Sequence, residues 1–281
     1  MTGAPQPSPD APPDAPPDAA PESRSGMPSA AAPARSNVLA VASGKGGVGK
    51  TWFSITLAHA LARAGRKVLL FDGDLGLANV DVQLGLTPGD DLGAVIAGRI
   101  PLERARVRYA DGGFDLIAGR SGSGSLATLT ADRLASLRRS VDGVGRDYDR
   151  VVLDLGAGIE RPVRLMARNS RACLVIATEE PTSITDAYAF LKVARLEGLC
   201  ADLRIVINMA PSLRAGEQTY AALRRACREF LKFEPPLAGI IHRDDHVRDS
   251  IRRQTALLNR HPGAEAAADV ERIAAYVIDE M

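Results

Sequence analysis

The sequence predicts an α/β fold, a doubly wound, mostly parallel sheet with helices on both faces. Two observations carry this reading. Short apolar runs of strand length alternate with stretches whose apolar residues recur at helical spacing. Several of those runs end in a carboxylate or an amide, at the end of the sheet where open α/β folds hold their ligands. The expected strands are Val38–Ala42, Arg66–Asp72, Phe114–Gly119, Asp149–Asp154, Ala172–Ala177, Arg204–Asn208 and Leu237–Ile241.

Bulk composition sets the bounds. The chain has 281 residues, 46% hydrophobic and 25% charged, enough for one sizeable domain plus a tail. A formal net charge of +1 gives no global reason to expect nucleic acid or an anionic membrane as partner. Cys173, Cys200 and Cys227 lie far apart without metal-type spacing, which points to a reduced, cytoplasmic protein. No apolar stretch is long enough to span a bilayer, and no charged-then-apolar signal segment opens the chain. Residues 1–36 read as a disordered, locally extended Pro/Ala-rich tail, with Ala11-Pro12-Pro13-Asp14 repeated as Ala15-Pro16-Pro17-Asp18. Residues 37–281 then form the folded domain.

The first strand runs into Ser43-Gly44-Lys45-Gly46-Gly47-Val48-Gly49-Lys50-Thr51, and a helix follows from Trp52. Gly44, four residues, then Gly49-Lys50-Thr51 fits G-x-x-x-x-G-K-[ST] without departure. The glycines let backbone N–H groups turn inward around a phosphate, and the helix N-terminus adds the positive end of its dipole. Lys50 suits the β- and γ-phosphates of a nucleotide such as ATP, and the Thr51 hydroxyl suits Mg²⁺. Lys45 is a second lysine at the start of the loop.

The second strand ends in Asp72-Gly73-Asp74. Of two acids at a strand end, one can orient an attacking water and the other help hold Mg²⁺. Leu84–Gly98 and Pro101–Arg106 read as short helical pieces, Arg120–Ser125 as a Gly/Ser loop, and Thr130 as the cap of a helix to about Val144. Asp149–Asp154 is an apolar run ending in a carboxylate placed to bind Mg²⁺ directly or through water. Pro181 stops a later strand, and Thr182 or Ser183 caps a helix to about Glu197. Asn208 ends another strand with an amide that both donates and accepts, which suits an adenine edge. Arg214–Leu231 reads as one helix.

These motifs carry a resemblance. Lys45-Gly46-Gly47-Val48-Gly49-Lys50-Thr51 resembles the deviant Walker A loop of the MinD/ParA family of P-loop ATPases. That likeness implies an ATP-dependent homodimer in which Lys45 crosses the interface to the phosphates bound by the other subunit. Asp72–Asp81 is similar to the family's switch I, D-x-D-x-G-L-x-N-x-D, which gives Asp74 the catalytic aspartate's position and a place with Thr51 and Asp154 on the magnesium side. Leu155–Glu160 is similar to switch II, and relatives use an Asn at the Asn208 position for the base. Glu180–Tyr188 resembles the FlhG-like regulators of flagellar number and placement, in which this helix lies beside the dimer interface where partners dock. Tyr188, Phe190 and Lys192 are therefore the expected partner surface on the helix Thr182–Glu197.

The likeness covers about Asn37 to His261. Three departures stand out. His242–Asp245 lacks the proline that relatives carry over the base. No Asp-Gln-Ala activator triplet occurs near the N-terminus. Ala266–Met281 bears Asp269, Glu271, Asp279 and Glu280 where membrane-associated members have a basic amphipathic helix, which argues against an anionic leaflet. Two other functions share the nucleotide fold. A DNA-partitioning ATPase rests on Arg224-Arg225 and Arg252-Arg253. An amidoligase of the cobyrinate diamide synthase type lacks a visible glutaminase Cys/His pair here.

Overall fold

Apolar residues, chiefly valine, leucine, isoleucine and alanine, run consecutively through the central strands and not on alternate positions. That is the composition of strands covered on both faces. The computed structural model describes residues 1–4, 36–74, 76–89, 92–119 and 129–281. The chain divides into two units, Met1–Ala34 and Arg35–Met281. Nearly all of the expected tail 1–36, and the expected Gly/Ser loop Arg120–Ser125, lie outside the described residues. The fold is that of the second unit.

In chain order its elements are β1 (Val38–Ser43), α1 (Lys50–Arg63), β2 (Val68–Gly73), α2 (Val80–Leu84), α3 (Leu92–Ile96), β3 (Arg106–Tyr109), β4 (Phe114–Ile117), α4 (Ala131–Gly145), β5 (Arg150–Ala157) and α5 (Arg161–Ala167). Then come β6 (Ser170–Ala177), α6 (Pro181–Glu197), β7 (Cys200–Ala210), α7 (Leu213–Ala226), β8 (Leu237–His242), α8 (Asp245–Arg252), α9 (Leu257–Arg260) and α10 (Glu265–Glu280). The sheet order is β3-β4-β2-β5-β1-β6-β7-β8. Among the described strands, only β3 runs antiparallel to its neighbour. One apolar core lies under α4, α5, α6 and α7, and a second under α1, α9 and α10, so the sheet is covered on both faces.

Register decides what the strand ends bring together. Asp154 of β5 stands opposite Asp72 of β2 on one side and Val41 of β1 on the other. The loop after β1 therefore opens directly above two carboxylates.

Several local expectations shift. β3 was not anticipated: Leu102–Ala105 forms a 3₁₀ turn, and Arg106 then opens a short edge strand instead of closing a helix. Its alternating Arg106-Val107-Arg108-Tyr109 is too short and too charged to stand out, though charged edge strands are common. Pro181 does not end a strand. It is the first residue of α6, where its missing N–H costs nothing. The Ser183 hydroxyl, expected as a cap, instead accepts from Thr178 N at 3.0 Å. The helix expected over Arg214–Leu231 is α-helical only to Ala226, and Cys227–Leu231 widens into a π turn. Thr130 does cap α4, accepting from Arg133 N at 3.4 Å.

The last helix is part of the core. Ala266, Ala267, Val270, Ile273, Ala274 and Val277 of α10 are buried. Buried Asp269 on the same helix accepts the His242 backbone N–H at 2.8 Å and lies 2.9 Å from its Nδ1. The apolar face of this helix is thus already used. Among the described residues, no helix is long and apolar enough to cross a membrane.

His59 on α1 is a buried liability. It is 2% exposed, and its Nδ1 has no partner. Burial, and after it the Arg63 charge, lowers the imidazole from 6.5 to about 4. The unfolded chain therefore takes up this proton first as pH falls. The contribution of the neutral ring is complete above about pH 6.5, declines between 6.5 and 4, and is gone below, a loss of at most about 3 kcal/mol. Urea denaturation across that window should show His59→Leu with a flatter stability–pH curve than the parent. An unchanged slope would assign the acid sensitivity elsewhere.

Candidate functional site

β1 is one of the two middle strands, and its C-terminal end delivers the chain into Gly44–Gly49 before α1 begins at Lys50. The turn into the helix is made at Gly49, whose φ of 85° lies in the left-handed region that favours glycine. At Gly44 the constraint is space: a Cβ there would lie 2.1 Å from the carbonyl carbon of Asp186 on α6. On Gly46 and Gly47 a Cβ would meet nothing within 4 Å, so this stretch of the loop faces open space. The Ser43 hydroxyl donates to Lys45 O at 2.9 Å, and Gly158 N donates to Ser43 O at 2.8 Å, tying the loop after β5 to the end of β1.

Beneath the loop sits a buried polar group. Lys50 is 7% exposed, and its Nζ lies 2.8 Å from Asp154 Oδ1. Ser54, one turn along α1, donates to the same oxygen at 2.9 Å. The other carboxylate oxygen, Asp154 Oδ2, is buried and has no partner. An orphaned carboxylate oxygen is costly, and a hydrated or bare cation would satisfy it. Asp72, next to Asp154 in register, is also buried. It accepts backbone N–H groups from Asp74 at 3.2 Å and from Asn79 and Val80 at 3.1 Å each. Burial, with the neighbouring Asp154 charge, raises the Asp72 carboxyl to about 7.

The remaining predicted residues take distinct places. Thr51 is half-buried at the start of α1, and its hydroxyl makes no protein hydrogen bond among the described residues. Asp74 stands at the rim, where its Oδ1 accepts from Gly76 N at 3.3 Å and Leu77 N at 2.9 Å. The same oxygen lies 3.6 Å from where a Cβ on Gly156 would be, so the loop after β2 folds back against the C-terminal end of β5 at this carboxylate. Asn208 is 2% exposed, and its Nδ2 donates to Val48 O at 2.8 Å. Its amide thus touches the loop, with one N–H and one oxygen lone pair left over. Phe190 is buried in the core under α6 and offers no surface to a partner, whereas Tyr188 is half-buried and Lys192 exposed.

Lys45 is held within its own chain. Its Nζ lies 2.7 Å from Glu180 Oε2 and 2.9 Å from Thr182 Oγ1, both at the start of α6. Those two partners escaped the sequence reading, as did Ser54. The only signal for Ser54 was its four-residue spacing from Lys50 on one helix face. Nothing in the sequence announced the contact with Glu180, which depends on β1 and β6 being neighbours.

The donor set fits a magnesium-bound nucleoside triphosphate: a glycine loop open to one side, a buried lysine, an unpartnered hydroxyl and an orphaned carboxylate oxygen. Comparison with known proteins agrees. The model of the CobQ/CobB/MinD/ParA nucleotide binding domain matches residues 39–257. The antiactivator FleN of Pseudomonas aeruginosa is 38% identical over 240 residues, 85% of this chain and 85% of that protein. The flagellum site-determining protein YlxH of Helicobacter pylori is 28% identical over 244 residues, 86% of this chain and 82% of its own length. Among solved structures, the septum site-determining protein MinD complexed with Mg-ADP from Pyrococcus horikoshii superposes with a TM-score of 0.72 at 23% identity, covering 87% of this chain and 96% of that one. The family match and the FleN likeness each span most of the chain, and the chain belongs to the CobQ/CobB/MinD/ParA nucleotide-binding family.

Proposed function

We propose that this protein is an ATP-hydrolysing dimerisation switch that regulates flagellar number or placement in the cytoplasm. The observation that carries the reading is the buried Lys50–Asp154 pair beneath the open loop. A lysine and a carboxylate are stored there in contact, and the second oxygen of the carboxylate lacks a partner. When phosphates enter, Lys50 can move its charge to them, and Asp154 can turn to the cation. Thr51 and Asp154 would hold Mg²⁺, which neutralises charge on the phosphates. Asp74, held by its own loop at the rim beside the end of β5, would position a water.

Dimerisation is supported by the surface beside the site. Leu77 and Ile159, on the loops after β2 and β5, are large apolar side chains left exposed at 71% and 38%. Lys45 is held by an exposed carboxylate, an attachment that water and salt weaken, so it is free to exchange to a neighbouring subunit. The flagellar assignment follows the FleN and YlxH likenesses. A protein partner would meet the exposed face of α6, through Tyr188 and Lys192 and without Phe190. The DNA-partitioning reading is weakened because Arg224 lies 3.8 Å from Glu234 and Arg253 lies 3.9 Å from Asp249. The amidoligase reading shares the nucleotide-binding family, but two relatives that cover most of the chain are flagellar regulators.

Light scattering after size exclusion, with phosphate release measured in parallel, tests the switch. The parent should dimerise transiently with Mg·ATP and not with ADP. Asp74→Ala should lower turnover by about 100-fold or more and prolong the dimer. Monomers in every nucleotide state would overturn the switch. Lys50→Ala should abolish nucleotide binding in calorimetry. Lys45→Ala should still bind ATP while losing both dimer and turnover, and normal dimerisation of that variant would remove Lys45 from the interface.

A further inference from the structure

The N-terminal edge of the sheet, the end away from the glycine loop, gathers positive charge. Arg150 opens β5 and stands opposite Val68 of β2. Arg66 lies two residues before Val68. Arg171 is the second residue of β6, next to Ala172, which pairs with Leu39 of β1. β2, β5, β1 and β6 are consecutive in the sheet, and all are parallel. Neighbouring strands are about 4.8 Å apart, so the three arginines fall along one short edge.

The chain balances these charges only in part. Among the described residues, none of the three forms an ion pair. Arg150 is half-buried. One of its terminal nitrogens donates to the Asp149 carbonyl at 3.0 Å, while its Nε is buried without a partner. Its guanidinium is held below the usual arginine range by burial, then by the charges of Arg171 and Arg66, with the Asp149 charge opposing them. The Asp149 carboxylate already accepts the Lys67 backbone N–H at 2.7 Å. The Lys67 ammonium is turned onto the Tyr148 ring, 5.1 Å from its centroid. Asp202 and Glu280 line a cavity of about 580 Å³ together with Arg171, but Asp202 is held by Arg204 at 2.7 Å and neither pairs with Arg171.

Around Arg150, three guanidinium groups against one carboxylate leave two positive charges beside a buried, unpartnered N–H. A dianion matches that balance. Guanidinium forks take phosphate oxygens in pairs, and several forks suit a tetrahedral group better than one flat carboxylate. We propose that Arg66, Arg150 and Arg171 form a binding site for a doubly charged phosphate group, at the opposite end of the sheet from the glycine loop. The site stands whether or not that loop holds a nucleotide.

Titration with inorganic phosphate, followed at the Arg150 Nε–H resonance, tests the site. The shift should saturate, and sodium chloride at matched ionic strength should not reproduce it. Lys50→Ala, which takes the glycine loop out of play, should leave the edge affinity unchanged. Arg66→Gln and Arg171→Gln should each weaken it by about tenfold. An equal response to chloride would reduce the effect to screening and overturn the site. So would loss of all phosphate binding in Lys50→Ala, or unchanged affinity in both arginine variants. Should Lys50→Ala not fold, the Arg150 resonance of the parent reports the edge by itself, since the loop lies at the other end of the sheet. Tighter binding of an oligo-aspartate peptide than of phosphate would make the edge a dock for an acidic protein segment and overturn the phosphate assignment. Sedimentation with vesicles containing phosphatidic acid separates the two sources of the group. Capture that Arg171→Gln abolishes would mark a lipid headgroup, and phosphate binding without capture a soluble phosphate compound.

Discussion

The site depends on one buried ion pair. Lys50 and Asp154 come from α1 and β5, almost completely enclosed, and each is tolerable there only because of the other. A buried pair of this kind adds little net stability over apolar residues of the same size, yet losing one partner strands an uncompensated charge. It is therefore best understood as a specification of geometry. It fixes where the first turn of α1 meets the sheet, and it keeps a cationic group in reserve under the loop. The adjoining Asp72 carries the cost of that arrangement, its carboxyl raised by burial and by the charge beside it.

Much of this was legible in the sequence, and the reason is local. The loop, the helix after it and the acids at the ends of β2 and β5 are each specified by residues within one strand–turn–helix segment. Backbone chemistry alone places Gly49, Lys50, Asp72 and Asp154. Asp74 was found in the same way, as the second acid of a pair at a strand end.

What the sequence hid was what depends on long-range pairing. The partners of Lys45 sit more than a hundred residues away, and they reach it only because β6 lies against β1. The orientation of Asn208 follows from an irregularity two residues long, which no propensity scale would detect. Phe190 could be read as surface or as core from its helix position, and only the packing of α6 on the sheet decides for the core. β3 was missed because four alternating residues with two arginines carry too weak a strand signal.

The seam between Gly44 and Asp186 has a mechanical consequence. Where two elements are separated by side chains, rotamer changes absorb small movements. Here main chain touches main chain, with no room for even a methyl group. The helix that presents Tyr188 and Lys192 to the outside thus abuts the first residue of the cradle. A displacement of that helix toward the sheet would have to move the loop with it, since no side chain lies between them to yield.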